Sequence, residues 1–154
     1  MTNELGLHFR AAAMVVRTLR DFDSQVTISN GRHTWRADEP TSAGGNDTGP
    51  TPYELITGSL AACTLVTLAL YCRHKQIPLK SITATYEHGR IHAEDCEECE
   101  EPRKGFLDQI TSRVRIAGDF DDATRERLAR IVERCPVHKT LENGVRMIDN
   151  TEFV

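Results

Sequence analysis

The order of patterned segments predicts an α+β domain, with antiparallel sheets around one long buried central helix. Three observations carry this. From Pro52 to about His74 the chain holds no further proline, and its apolar residues surround the axis instead of forming one stripe, the pattern of a buried helix. On either side of that run, short segments alternate apolar and polar residues with the period of strands. The order is strands, buried helix, strands, helix, strand, which is an α+β arrangement. At 154 residues the chain reads as a single domain, 1–154, long enough for a real core, with 1–24 as a poorly defined N-terminal segment.

Within residues 1–24, the stretch Ala11-Ala12-Ala13-Met14-Val15-Val16 fits a short helix or a strand, and the β-branched pair favours a strand at that end. Val26 and Ile28 then alternate with polar residues, Asn30-Gly31 is expected as a two-residue hairpin turn, and His33 to Ala37 returns. Pro40, Gly44, Gly45 and Asn46 mark a loop that feeds the central helix. Thr51 is an N-cap, Pro52 takes the first helical position, and Glu54 stands at the capping-box spacing. Ile77-Pro78 ends the segment. Ser81 to Tyr86 alternates as a strand, with a possible turn at His88-Gly89, and Glu94 to Lys104 reads as an acidic exposed loop. Phe106 to Ala117 gives another strand with Ile110, Val114 and Ile116 on one face. Asp121-Asp122 caps a second helix, whose Leu128, Ile131, Val132 and Cys135 share a face and which Pro136 is expected to end. A final short strand is expected around Val145 and Met147.

The charge balance of −4 shows no basic surplus, which argues against nucleic acid as the main partner. The central helix is polar at its ends and interrupted by Thr57, Ser59, Thr64 and Thr67, so no membrane role is expected. There is no charged start followed by an apolar run and a cleavage site, and the expected compartment is the reducing cytoplasm. Five cysteines there serve chemistry, metal binding or packing rather than disulfide staples.

Cys63, inside the central helix, fits either a packed small residue or a reactive thiol. Reactivity requires a lowered pKa. Near 8.5 only about 3 % is thiolate at pH 7, whereas near 6 about 90 % is, a difference of about 3 kcal/mol that neighbouring donors or cations must supply. Cys135 lies on the apolar face of the second helix and carries the same two readings.

Two strings in this chain carry a family resemblance. Gly49-Pro50-Thr51-Pro52, with Glu54-Leu55 and then Ala61-Ala62-Cys63, resembles the OsmC/Ohr family of thiol-dependent hydroperoxide reductases. So does Arg134-Cys135-Pro136-Val137-His138 followed by Leu141. Asp38-Glu39-Pro40 and Gly44-Gly45 are similar to the approach to the helix in the OsmC-like branch, and the resemblance covers roughly residues 25–154. It implies an intertwined homodimer with active sites at the subunit interface and no cofactor. Cys63 matches the peroxidatic cysteine and Cys135 the resolving one. The substrate implied is an organic hydroperoxide, and the partner that resets the pair is a dithiol reductant.

One position departs from the pattern. In the family a glutamate directly after the proline holds an arginine that lowers the thiol pKa. Here Tyr53 stands in that place and Glu54 is one step later. The nine steps from Glu54 to Cys63, at about 100° each, put the two on opposite sides of a regular helix, so Glu54 reads as a catalytic or a purely capping residue. Arg36 is the candidate cation for the thiolate, with Arg32 second. Cys96 and Cys99, preceded by His88 and His92, form a low-specificity candidate metal site; the acids around them raise rather than lower a thiol pKa. Cys72 reads as core. His138 reads as a turn histidine or a proton donor to the leaving oxygen. A rival reading of the whole is a non-catalytic dimeric module that senses redox state or binds a small molecule.

Overall fold

The computed structural model describes residues 15–18, 24–92 and 105–153. Its strands are β1 (Val15–Thr18), β2 (Val26–Ser29), β3 (Thr34–Ala37), β4 (Leu79–His92) and β5 (Phe106–Gly118). Its helices are α1 (Pro52–His74), α2 (Asp122–Val132) and α3 (Pro136–Asn143), with one 3₁₀ turn at Thr41–Ala43. The described residues fall into two compact units. The first is drawn from Met1–Gly58 and His88–Gln109, the second from Ser59–Glu87 and Ile110–Val154.

In the first unit β1, β2 and β3 form an antiparallel sheet in that order. The register pairs Ser29 with Thr34, so the hairpin loop has four residues and not two. The Asn30 side chain sets it by accepting from the backbone N–H groups of Arg32 (3.0 Å) and His33 (2.7 Å), while Gly31 takes a positive φ of 82°. After β3 the chain folds around Asp38, which is buried. Its carboxylate accepts from the Ser24 hydroxyl (2.6 Å), the Thr48 hydroxyl (2.8 Å) and the N–H groups of Glu39 (2.9 Å), Asn46 (3.3 Å) and Thr48 (3.1 Å). These donors hold the carboxyl well below the usual carboxylate range, the Ser24 hydroxyl most of all. Gly45 permits the close turn: a Cβ there would lie 1.9 Å from the Glu39 carbonyl oxygen.

The loop delivers the chain to the capping box of α1. The Glu54 carboxylate accepts from the Thr51 N–H (2.7 Å), and the Thr51 hydroxyl accepts from the Glu54 N–H (3.2 Å). By length and composition alone α1 is apolar enough to cross a membrane. In the single chain it is buried along one side only. Leu60, Thr64, Thr67, Leu68 and Cys72 are buried, whereas Ala62, Val66 and Ala69 on the opposite side are exposed. The sequence reading of burial all round is corrected to this extent: in the single chain, Ala62, Val66 and Ala69 of α1 are exposed.

In the second unit Leu68 and Cys72 of α1 meet Leu128 and Ile131 of α2, with Tyr71, Ile82, Val114 and Phe120 packed around them. Asp121 caps α2, accepting from the Thr124 N–H at 2.8 Å. β4 and β5 form a two-stranded sheet, and β4 runs unbroken through His88-Gly89 where a turn was considered. Two further expectations are corrected. Pro136 does not simply stop a helix; α2 ends at Val132, and Pro136 opens α3 from its first position, where its missing N–H costs nothing. Residues 144–153 form no strand. Val145, Met147, Ile148 and Phe153 are all exposed, and among the described residues no strand pairs with this segment.

Candidate active site

Cys63 is half-buried on α1 and Cys135 is fully buried at the elbow between α2 and α3; both are free thiols. The elbow is built locally. The Cys135 N–H donates to the Val132 carbonyl at the end of α2, and its own carbonyl accepts from the Lys139 N–H in α3 (3.1 Å). Cys135 is thus the N-cap residue of α3, with no side-chain capping bond of its own. That leaves its sulfur free to meet Cys63. Cys135 is close enough to Cys63 to help push its pKa up, although the two are far apart in sequence.

Two more groups bear on the Cys63 thiol: the backbone N–H of Val137, in the first turn of α3, and the hydroxyl of Thr67, one turn further along α1. Both favour the thiolate. Burial and the Cys135 thiol act the other way, burial most strongly, and together they push the Cys63 thiol up from its ordinary value. The sequence reading has Cys63 held ionised; within the described chain its surroundings favour the protonated thiol.

The other sequence-derived candidates are placed as follows. Arg36 is exposed on β3 and Arg32 is exposed in the hairpin loop. The exposed Glu54 has its carboxylate committed to the Thr51 N–H, which holds its pKa down. Tyr53, in the place of the family glutamate, stacks on His88 with ring centroids 4.1 Å apart. His88 in turn meets Asp108 (3.0 Å), which Arg90 also contacts (3.2 Å). His92 packs edge-on against Phe106. Cys96 and Cys99 lie outside the described residues. Among the described residues no group of three histidine, cysteine or acidic side chains is arranged to hold a metal ion. Cys72 sits in the apolar cluster, as expected of core, and burial pushes its thiol up. His138 is half-buried and lines a groove of about 740 Å³ walled by Val114, Ile116, Phe120, Leu128 and Val132.

Sequence reasoning missed Thr67, the Val137 N–H and Asp38. Thr67 carried a usable signal, since a hydroxyl four residues after a helical cysteine falls on the same face. The Val137 N–H carried none, because it depends on a helix hidden behind Pro136.

A central helix whose Cys63 is approached by a second cysteine, Cys135, from a distant elbow defines a dithiol protein of α+β architecture. The family model described as OsmC-like protein matches residues 44–148, and the chain belongs to that family. A second family model, described as PTS HPr component phosphorylation site, matches residues 1–42. No curated protein matches the chain. Among solved structures, an OsmC-like protein from Mycoplasma pneumoniae is similar at 21 % identity and TM-score 0.65, covering 86 % of this chain and 88 % of that one. The organic hydroperoxide resistance protein OhrB of Bacillus subtilis is similar at 22 % identity and TM-score 0.56, over 84 % and 89 %. An organic hydroperoxide resistance protein from Legionella pneumophila is similar at 19 % and TM-score 0.57, over 82 % and 87 %. At these identities the likeness is one of fold.

Proposed function

We propose that this protein reduces organic hydroperoxides through Cys63 and Cys135, as a cytoplasmic homodimer. The observation that carries the reading is the pair of free thiols, Cys63 on α1 and Cys135 at the α2–α3 elbow, close enough for Cys135 to shift the Cys63 pKa. The Cys63 thiolate attacks the peroxide O–O bond; one oxygen stays on sulfur as sulfenic acid and the other leaves as the alcohol, taking a proton. The Cys135 thiol then condenses with the sulfenic acid, forming a disulfide and releasing water. A dithiol reductant returns the pair to two thiols by exchange. Because the described surroundings favour a neutral Cys63, a cation completes the site, and Arg36 is the residue proposed for it. Glu54 is assigned to capping the helix that carries Cys63. The exposure of Ala62, Val66 and Ala69 on α1 supports the homodimer.

One equivalent of an alkyl hydroperoxide is expected to yield a Cys63–Cys135 disulfide by peptide mass spectrometry. Cys63→Ser lowers peroxide consumption on the order of a thousandfold or more. A variant that consumes peroxide at the parent rate sinks the reading and leaves the rival, a binding or redox-sensing module.

The match over residues 1–42 favours a second, separate reading, phosphorylation within that range. His8 and His33 fall inside it, as do several hydroxyl side chains. Intact mass of protein purified at alkaline pH is expected to show an added phosphoryl group. Loss of that group in brief acid assigns it to a histidine, and retention to a hydroxyl. Unmodified protein under all growth conditions overturns this reading.

A further inference from the structure

The alternation that buries one face of the β4–β5 sheet builds a different surface on the other. Ile82, Val114 and Ile116 pack against the apolar cluster of α1 and α2. The residues between them, spaced two apart along each strand, share the opposite face. There β4 sets Thr83, Thr85 and Glu87 beside Thr111, Arg113 and Arg115 of β5, around a cavity of about 270 Å³. All six are exposed. No aromatic or aliphatic side chain lines the cavity. That sets it apart from the larger, mostly apolar clefts that take drug-sized ligands, and from the groove beside His138. Other arginines of the chain are occupied: Arg90 contacts Asp108, and Arg125 donates to the Phe120 carbonyl. Among the described residues neither Arg113 nor Arg115 forms an ion pair, although Glu87 lines the same cavity. Their backbone positions are about 7 Å apart, two steps along one strand, so both long side chains can reach one anion.

We propose that this outer face of the β4–β5 sheet binds a small phosphorylated polyol, the class of the sugar phosphates. Arg113 and Arg115 present planar forks of N–H donors that match phosphate oxygens two at a time. Thr83, Thr85 and Thr111 add hydroxyls, which donate to a phosphate or accept from a ligand hydroxyl. Glu87 decides between a bare anion and a hydroxylated one. An ionised carboxylate repels phosphate, but it accepts hydrogen bonds from ligand hydroxyls. Two guanidiniums against one carboxylate leave the face a positive surplus. With no aromatic side chain for a base to stack on, the lining favours a sugar phosphate over a nucleotide. Neither Cys63 nor Cys135 lines the cavity, and no step of peroxide reduction passes through it.

The experiment is a titration of the whole protein followed by backbone amide NMR shifts, with ribose 5-phosphate, ribose and inorganic phosphate as separate probes. Ribose 5-phosphate is expected to give saturable shifts centred on residues 83–87 and 111–115, and to bind roughly tenfold more tightly than either fragment. Arg113→Gln combined with Arg115→Gln is expected to lower its affinity about tenfold. Both side chains are exposed, so the fold does not depend on them. Glu87→Gln separates a built site from plain charge attraction. It removes a negative charge, which strengthens the binding of any anion, so the two phosphate probes are compared. The preference for ribose 5-phosphate over inorganic phosphate is expected to fall about threefold, the loss of one hydrogen bond to a ligand hydroxyl. Equal binding of the two probes by the parent shows an adventitious ion only and overturns the proposal. Shifts without saturation, shifts centred elsewhere, or a preference that Glu87→Gln leaves unchanged overturn it as well.

Discussion

Asp38 and Cys63 are both acidic groups taken largely out of water, and their surroundings drive them in opposite directions. Asp38 meets five donors, from Ser24, Glu39, Asn46 and Thr48, and is held ionised. Cys63 meets two that favour its anion, the Val137 N–H and the Thr67 hydroxyl, against burial and a second thiol, and stays protonated. The lesson is that desolvation sets the default and the donors decide whether it is overcome. A loop organiser holds its charge permanently. A thiol that must react and then be resolved sits nearer balance, where a further cation tips it.

Asp38→Asn should produce the largest effect on the folded state. The amide places its own N–H₂ among donors and cannot accept from all of them. Thermal unfolding is expected to fall by roughly 5–10 °C at neutral pH. The sign of the pH dependence follows from the depressed folded-state pKa. The contribution of Asp38 is fully present above its unfolded value of about 3.9 and is lost as pH falls below that toward the folded value. Melting curves of parent and variant should therefore converge in acid; a gap that persists unchanged below pH 3 breaks the Asp38 half of the comparison.

Cys135→Ala tests the other half. It removes the neighbouring thiol that helps hold Cys63 neutral, so Cys63 alkylation at pH 7 should rise by roughly two- to fivefold. A slower reaction in this variant would show that Cys135 activates its neighbour instead of restraining it. A smaller effect is expected at the helix start. Thr51→Ala removes the cap and should cost about 1 kcal/mol in urea unfolding. Glu54→Gln keeps the acceptor, and peroxide turnover should stay within about twofold; a large fall in turnover would return Glu54 to the chemistry.

Much of this architecture was legible before any coordinates. The capping box of Thr51 and Glu54, the limits of α1, and the shared face of Ile110, Val114 and Ile116 are consequences of local geometry and period. Four features were not. The hairpin loop ran to four residues because the Asn30 side chain organises it. Pro136 started a helix where a stop was expected, since the same residue is favourable at a first helical turn and unfavourable within one. Val145 and Met147 have the alternation of a strand, but among the described residues no strand pairs with them. The one-sided burial of α1 depends on what packs against it, which its composition does not state.

The amino-acid order alone settled where the long helix begins and ends, which cysteine it carries and that a second cysteine follows near a proline, because each of those depends on neighbours a few positions away. Only the folded chain brought Cys135 and the Val137 N–H to bear on Cys63 and closed five donors on Asp38. Those outcomes depend on how the segments pack, and the sign of each pKa shift comes from how many donors arrive and how much water is excluded, which are properties of packing and not of sequence spacing.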